Sequence, residues 1–401
     1  MNQYNVREAV ITDKEDFARL YWKVFEPHLE FEEVLKKDLV NEWNRNELNE
    51  WAYVAEMDGM IRSNVCFFVS QDNIIRGNSL KLGGIWSLAT EEPYRKKGMI
   101  SSIIKAIFSR MREDGTVISM VDPDMNLFPF YERFGYGFFE SAKLYELDPG
   151  DLRNVKSDPS ISYREMEDKK EWNKILQIQK SMARYGSRVF GRRRHIEYLI
   201  ESGHCILLER DSEPVGVIKS SLANEGDLTW LNIWPDSCYV STDVLPSIID
   251  FVQKHATKAQ RIRWFCGSES PVLHYTQGPQ TVISKEWGNL MMRVVDFINF
   301  CTTIDIPDNT TDKCIIQLVD EYCPWNEGTY MLSPSNGKLD VEHTNKEPEV
   351  VLDAVNLSRI IGGYTTAKIL HSLNEIDCSR NTAEKLEAIF PSDAFFSHYR
   401  F

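Results

Sequence analysis

Apolar and polar positions change period several times along the chain, and each change predicts an element. Residues 13–25, "DKEDFARLYWKVF", carry apolar side chains at helical spacing, whereas residues 51–70, "WAYVAEMDGMIRSNVCFFVS", alternate like two strands joined by a turn at Asp58-Gly59. A further strand, "KLGGIWSLAT", occupies residues 81–90. From Met99 onward Ile100, Ile103, Ile104, Ile107, Phe108 and Met111 form one face of a helix that Asp114-Gly115 closes, and "TVISMV" follows as a strand. Strand, loop, amphipathic helix and strand in this order call for an α/β layered fold.

The same patterning divides the 401 residues into three units. The turn Asp148-Pro149-Gly150-Asp151 ends a first unit, 1–148. Residues 149–293 form a second unit that echoes the first: Gly-apolar-Ile-cation-Ser occurs at Gly59–Ser63 and again at Gly216–Ser220. Such an echo favours a duplicated fold. The third unit, 294–401, contains alternating strands with a turn at Asn326-Glu327-Gly328 and an apolar helix broken at Gly362-Gly363.

Charge narrows the function classes. With 46 Lys and Arg against 60 Asp and Glu, the formal net charge is -14. That field argues against nucleic-acid or anionic-membrane partners and suits cationic ligands. The first residues lack the basic-then-apolar pattern of a secretory leader, and no stretch reaches the roughly 18 apolar residues of a membrane span. Eight scattered cysteines, without CxxC or zinc-type Cys/His spacing, read as reduced thiols. A cytoplasmic protein without a metal site is the expectation.

Against this background "TEEPYRKKG" places Arg95, Lys96 and Lys97 directly before Gly98 and the long helix. The first N–H groups of a helix lack internal partners, and a glycine lets backbone approach a ligand, so such a loop can cradle a phosphate. Charge alone reads first as a solvated surface run before a helix. The second unit has no Arg-x-x-Gly loop opening a helix, and hence no phosphate site is expected there.

"LATEEPYRKKGMI" resembles motif A of the GNAT acetyltransferases, an apolar strand followed by Arg-x-x-Gly-x-Gly/Ala. The resemblance implies acetyl-CoA as co-substrate, with Leu88, Ala89 and Thr90 as strand contacts and Lys96, Lys97, Gly98, Met99, Ile100 and Ser101 as the pyrophosphate cradle. Ile100 departs from the pattern, standing where many members have Gly or Ala. "MNLFPFYERFGYGFFE" is similar to the segment after the fifth GNAT strand, and its Tyr131–Gly137 portion resembles the Eis (enhanced intracellular survival) acetyltransferases more narrowly. By that resemblance Tyr131 is the general acid and Asn126 a second cofactor contact. "PEVVLDAVNLSRIIGGYTTAKIL" and "AIFPSDAFFSHYRF" resemble the sterol-carrier-like C-terminal domain of that family, in which the carboxylate of the last residue, here Phe401, acts as base.

Together the resemblances imply tandem GNAT folds, the second degenerate, followed by a sterol-carrier-like α/β domain. The acceptor would be a primary amine of aminoglycoside, polyamine or lysine type, and the assembly a homo-oligomer of hexameric order. An alkyl ammonium, with pKa near 10.4, must lose a proton before it can attack a thioester. A phenol can return a proton to the departing thiolate. The competing reading is a non-catalytic acyl-CoA-sensing or lipid-binding module, which a large apolar tunnel beyond about residue 300 would mark. "FGRRRHIEYL" reads as a solvated helix start, and His204, Cys205, Cys266 and His274 as structural. A Cys-His nucleophile pair stays open, with nothing in the sequence to locate it.

Overall fold

The computed structural model describes residues 4–35 and 50–398. The first sheet contains β1 (Asn5–Glu8), β2 (Glu50–Met57), β3 (Met60–Ile75), β4 (Asn78–Thr90), β5 (Ile118–Val121) and β6 (Gly137–Phe138). The second is built on β7 (Ala142–Leu147), β8 (Ile161–Glu165), β10 (Cys205–Arg210), β11 (Glu213–Glu225), β12 (Leu228–Ile233), β14 (Arg261–Gly267) and β15 (Ile283–Trp287), with β13 (Cys238–Tyr239) beside β11. Three more strands belong to the first sheet: β16 (Met291–Val294) between β5 and β6, β9 (Arg188–Val189) beside β3, and β21 (Phe396–Ser397) beside β9. The third sheet comprises β17 (Cys314–Val319), β18 (Gly328–Ser335), β19 (Lys338–His343) and β20 (Val350–Asp353). No helix among the described residues is long and apolar enough to cross a membrane.

Strand order reveals a duplication. The first sheet runs β1-β2-β3-β4-β5-β16-β6 and the second, read from its far edge, β8-β10-β11-β12-β14-β7-β15. Along these paths each has one parallel pair, β4/β5 and β12/β14, linked by a crossover carrying a long helix: Met99–Glu113 in the first, Leu245–His255 in the second. The sixth strand of each sheet is exchanged, so that β16 arrives from beyond the second unit and β7 lies at the end of the first. The boundary at 148 is therefore a turn after β7 and that at 293 falls inside β16, so neither marks the edge of a sheet. The five-residue echo is out of step with this duplication: beside matching bulges, Ser63 faces Ala55 where Gly216 faces Leu208.

Period explains the local choices. Met99, Ile103, Ile104, Ile107, Phe108 and Met111 are all buried, in one cluster with Val65, Phe67 and Ile85 of the sheet. Burying each such side chain contributes about 2 kcal/mol. On the opposite face, helix Lys14–Phe25 buries Phe17 and Leu20 against Ala52, Val54 and Cys66. A third cluster joins the first sheet to the third unit, with Leu80, Leu82, Met292 and Phe139 packed among residues that include Phe300, Leu357, Ile361 and Phe395. The apolar side of the third unit is thereby covered by the first sheet.

A buried ion pair ties the same two units together. Arg293 on β16 is fully buried, pairs with Asp320 at the end of β17, and lies 4.4 Å over the Phe108 ring. Its guanidinium also donates to the carbonyl of Phe134, while Ser358 Oγ donates to that of Gly135 at 3.1 Å. The segment just after Tyr131 is thus anchored from the third unit.

Candidate active site

β4 and β5 pair in parallel from Leu82–Ile118 to Ile85–Val121, where β5 ends. β4 continues to Thr90 with β3 on its other side. From Trp86 to Thr90, therefore, one edge of β4 has no neighbouring strand among the described residues, and its backbone polar groups there seek partners. The carboxyl ends of parallel strands are where α/β sheets bind ligands.

A bulge holds β4 in this shape. Ser87 has φ 51°, and the β3–β4 register shifts between Asn64 and Cys66. Asn64 Nδ2 donates to the Ser87 carbonyl at 2.8 Å, and Ser63 Oγ to that of Ala89 at 2.9 Å. Leu88 packs toward the Met99–Glu113 helix, whereas Ala89 is buried on the opposite face. Thr90 Oγ1 shares a 2.8 Å hydrogen bond with Ser63 Oγ. Residues 88–90 were named from motif resemblance, but nothing in the alternation pattern signals Ser87 or Asn64.

The loop that follows is pinned at its base and open at its tip. Glu91 accepts from Arg62 at 2.5 Å and from Lys23 at 2.6 Å, which hold its carboxyl below the usual range despite partial burial. Lys96 at φ 62° and Gly98 at φ 82° are both left-handed, so successive N–H groups turn inward like an anion nest. Gly98 is the N-cap of the Met99–Glu113 helix, with no side-chain cap and no acid in the first turn. The first helical N–H groups, among them those of Met99, Ile100 and Ser101, lack intrahelical partners. Arg95, Lys96 and Lys97 are exposed, and none makes an ion pair among the described residues; Lys97 Nζ lies 4.8 Å over the Tyr94 ring. Ile100 packs its side chain into the apolar cluster behind the loop, so the departure from the motif adds bulk to the core.

The third component lies beyond β5. Asp122-Pro123-Asp124 leads into a short turn, Met125–Leu127, that exposes Asn126, and then into helix Phe128–Glu132. Tyr131 is buried there, 5.1 Å edge-to-face from Phe130, yet its hydroxyl has no hydrogen-bond partner among the described residues. Neighbouring Tyr136 differs: it is fully buried, and its hydroxyl bonds Ser119 Oγ at 2.7 Å. Burial, with Asp124 and Asp122 adding negative charge, pushes the Tyr131 phenol up to about 12. It stays protonated throughout the neutral range. Chain topology brings residues 88–90, 96–101 and 126–131 to one end of the β4/β5 pair, while Phe401 lies outside the described residues.

Residues 5–139 match the family model for an acetyltransferase (GNAT) domain. The chain carries a GNAT acetyltransferase domain. It is by this an enzyme of the GNAT N-acetyltransferase class, and the forked β4/β5 pair with its glycine loop lies within the matched residues. Residues 294–396 match a sterol carrier protein domain. No curated protein matches the sequence significantly. Among solved structures, a conserved protein of unknown function from Enterococcus faecalis aligns over 99% of this chain and 100% of its own at 18% identity and TM-score 0.83. A GCN5-related N-acetyltransferase from Anabaena variabilis covers the same shares at 16% identity and TM-score 0.81, and Eis1 from Mycobacterium abscessus does so at 13% and 0.76. At these identities the likeness is one of fold.

Outside the GNAT domain the other chemical candidates are quiet. Every cysteine is a free thiol, and burial pushes Cys205, Cys266, Cys314 and Cys323 up to about 12. Cys378 Sγ lies 4.0 Å from His371 Nδ1, but burial and Asp377 raise its thiol, the opposite of activation. His195 Nε2 bonds Asp236 at 3.1 Å, and Arg192 lies 4.2 Å over Phe68 of β3, so the "GRRRH" run reaches the first sheet and is more than a solvated helix start.

His398, buried near the chain end, carries a pH signature. Burial, then the Arg188 charge, lowers it to about 4, against the opposing effects of Asp236 and of the hydrogen bond to the Pro235 backbone. Because its unfolded pKa is near 6.5, acid favours the unfolded chain, and this contribution to stability is complete above that pH and lost as pH falls toward 4. The loss amounts to about 3 kcal/mol. Urea unfolding of wild type and His398→Gln at pH 7.5 and 4.5 checks it: the variant loses less stability on acidification.

Proposed function

We propose that the chain is an Eis-type N-acetyltransferase that moves acetyl from acetyl-CoA to a primary amine of aminoglycoside, polyamine or lysine type. The observation that carries this reading is the meeting, at the end of one parallel strand pair, of an unpartnered strand edge, an uncapped helix start and the unpartnered hydroxyl of Tyr131. Acetyl-CoA would supply the activated acetyl group as a thioester. The backbone of Leu88–Thr90 would bind its amide-bearing arm and polarise the thioester carbonyl, as oriented N–H groups do in an oxyanion site. Lys96–Ser101 would hold the pyrophosphate, with Asn126 as a second contact.

Tyr131 would give a proton to the departing thiolate. A phenol near 12 facing a thiol of about 8.5 makes full transfer uphill by about 5 kcal/mol on the scale of water. The desolvation that raises the phenol raises a thiolate at the same spot too, which narrows that gap. On the acceptor side the terminal carboxylate of Phe401 would draw in the ammonium and take its proton, directly or through water. Strand direction supports this role: β21 runs parallel to β9 and so against β3, heading toward the carboxyl end of β4.

In this reading 1–148 is the catalytic domain, 149–293 a degenerate GNAT copy and 294–401 the sterol-carrier-like domain, with β7 and β16 exchanged between the first two, and the chain assembles as a homo-oligomer. The apolar face of the third unit is packed on the first sheet, which favours the enzyme over a lipid carrier. Amine-dependent release of free CoA thiol from acetyl-CoA tests the proposal.

A further inference from the structure

The second sheet repeats the forked parallel pair but not its opening. Beyond β12 the chain runs Trp234–Tyr239 and folds back as β13 onto β11, with Gly216 opposite Tyr239. Beside it lies the chain's own C-terminal strand. His398 N donates to the Val189 carbonyl at 2.9 Å, and His398 Nδ1 lies 3.2 Å from the Pro235 carbonyl. What remains of the cleft is a cavity of about 30 Å³ bordered by Tyr239, Trp264, Cys266, Glu269, Phe396 and His398. That is space for a water molecule and not for a cofactor arm.

The seat of this tail is elaborate for a chain terminus. Fully buried Arg188 donates to the carbonyls of Ala394 at 2.6 Å and Ser187 at 2.9 Å, pairs with Glu269, and lies 5.8 Å from the Phe396 ring centre. The Asp393 carboxylate accepts from Ser187 N at 3.2 Å and from Ser187 Oγ. Phe396 N donates to the Ser187 carbonyl at 3.0 Å, and Ser141 N to that of Phe395 at 2.8 Å. Gly186, at φ 135°, allows the contact: a Cβ there would sit 2.5 Å from the Ala394 oxygen. Its Nε has no partner among the described residues, and the bonds its two terminal nitrogens make go to Ala394 of the tail, to adjacent Ser187 and to Glu269 of the closed cleft.

We infer that the second copy's closed cleft serves as a guide for the C-terminal strand, and that Arg188 and Asp393 are positioning residues for the amine-activating group of the first domain. The inference rests on the reading of the Phe401 carboxylate as base. β21 leaves this clamp pointing along β9 toward the carboxyl end of β4, so the clamp fixes the direction in which the described chain leaves it.

The test compares full-length Arg188→Met and Asp393→Ala with wild type for CoA-thiol release, using one high-pKa alkyl amine and one low-pKa acceptor such as hydroxylamine. Displacing a catalytic group by about 1 Å costs about 100-fold, so each variant loses about that much kcat with the alkyl amine while its KM for acetyl-CoA stays within about twofold. With hydroxylamine, which needs no base at neutral pH, the loss is under about fivefold. General damage to the fold would lower both acceptors alike and overturn the inference, as would alkyl-amine rates near wild type in either variant. Should Arg188→Met not fold, Asp393→Ala, which leaves the buried guanidinium paired with Glu269, decides alone. A chain ending at His398 separates the two claims: full activity there removes the terminal base and this inference with it. Loss there, with active clamp variants, removes this inference alone.

Discussion

Tyr131→Phe lowers kcat for acetyl transfer by about 100- to 1,000-fold while leaving the KM for acetyl-CoA within about twofold. The direction follows from where the hydroxyl stands. Nothing in the described protein bonds it, so its removal breaks no structural contact and the unfolding midpoint should not fall. The ring stays, and with it the edge-to-face packing against Phe130 and Tyr136. What disappears is the hydroxyl proposed above as the proton donor, beyond the end of β5. The phenol, raised to about 12, remains protonated across the usual assay range, so any alkaline loss of rate below pH 10 must come from another group. Tyr136→Phe is the contrasting control. It removes a buried hydrogen bond to Ser119, lowering stability by about 1 kcal/mol with little effect on kcat.

Gly98→Asp raises the KM for acetyl-CoA by about 100-fold, whereas Lys96→Met and Lys97→Met raise it only about threefold each. Gly98 sits at φ 82° as the helix N-cap, and a Cβ would meet only Tyr4 Oη, at 3.3 Å. The substitution therefore strains the backbone by about 1–2 kcal/mol without a large clash. Its carboxylate would face the N–H groups assigned to the pyrophosphate and fill the anion site from within. The lysines are exposed and screened, which limits each of them. Titration of acetyl-CoA against the three variants ranks the contributions directly.

Much of the catalytic domain is legible in the sequence because its elements are local. The 3.6-residue period from Met99 to Met111 gives both the helix and its buried face, and alternation gives β2 to β4. The duplication is harder to read. Ala142–Leu147 and Met291–Val294 look like ordinary strands, yet each pairs with strands that no local pattern relates to it. The echo at Gly59 and Gly216 pointed to the right architecture through the wrong register. At the candidate site, motif resemblance named the glycine loop and Tyr131, which the chain topology brings to one end of the β4/β5 pair. The conformations that shape it, the Ser87 bulge and the left-handed Lys96, depend on tertiary contacts such as Asn64 to Ser87 and have no composition signal. The anchoring of the Phe134–Gly135 turn by Arg293, Asp320 and Ser358 likewise joins residues more than 150 positions apart.

The central claim is amine-dependent acetyl transfer at the β4/β5 fork. Its most direct test is free-thiol release from acetyl-CoA by the full-length chain across a panel of aminoglycosides, polyamines and lysine peptides, with acetylated product followed by mass spectrometry. The account predicts thiol release that requires an amine, matches product one for one, and is lost with Tyr131→Phe. Tight acetyl-CoA binding with no thiol release above background for any amine would contradict it.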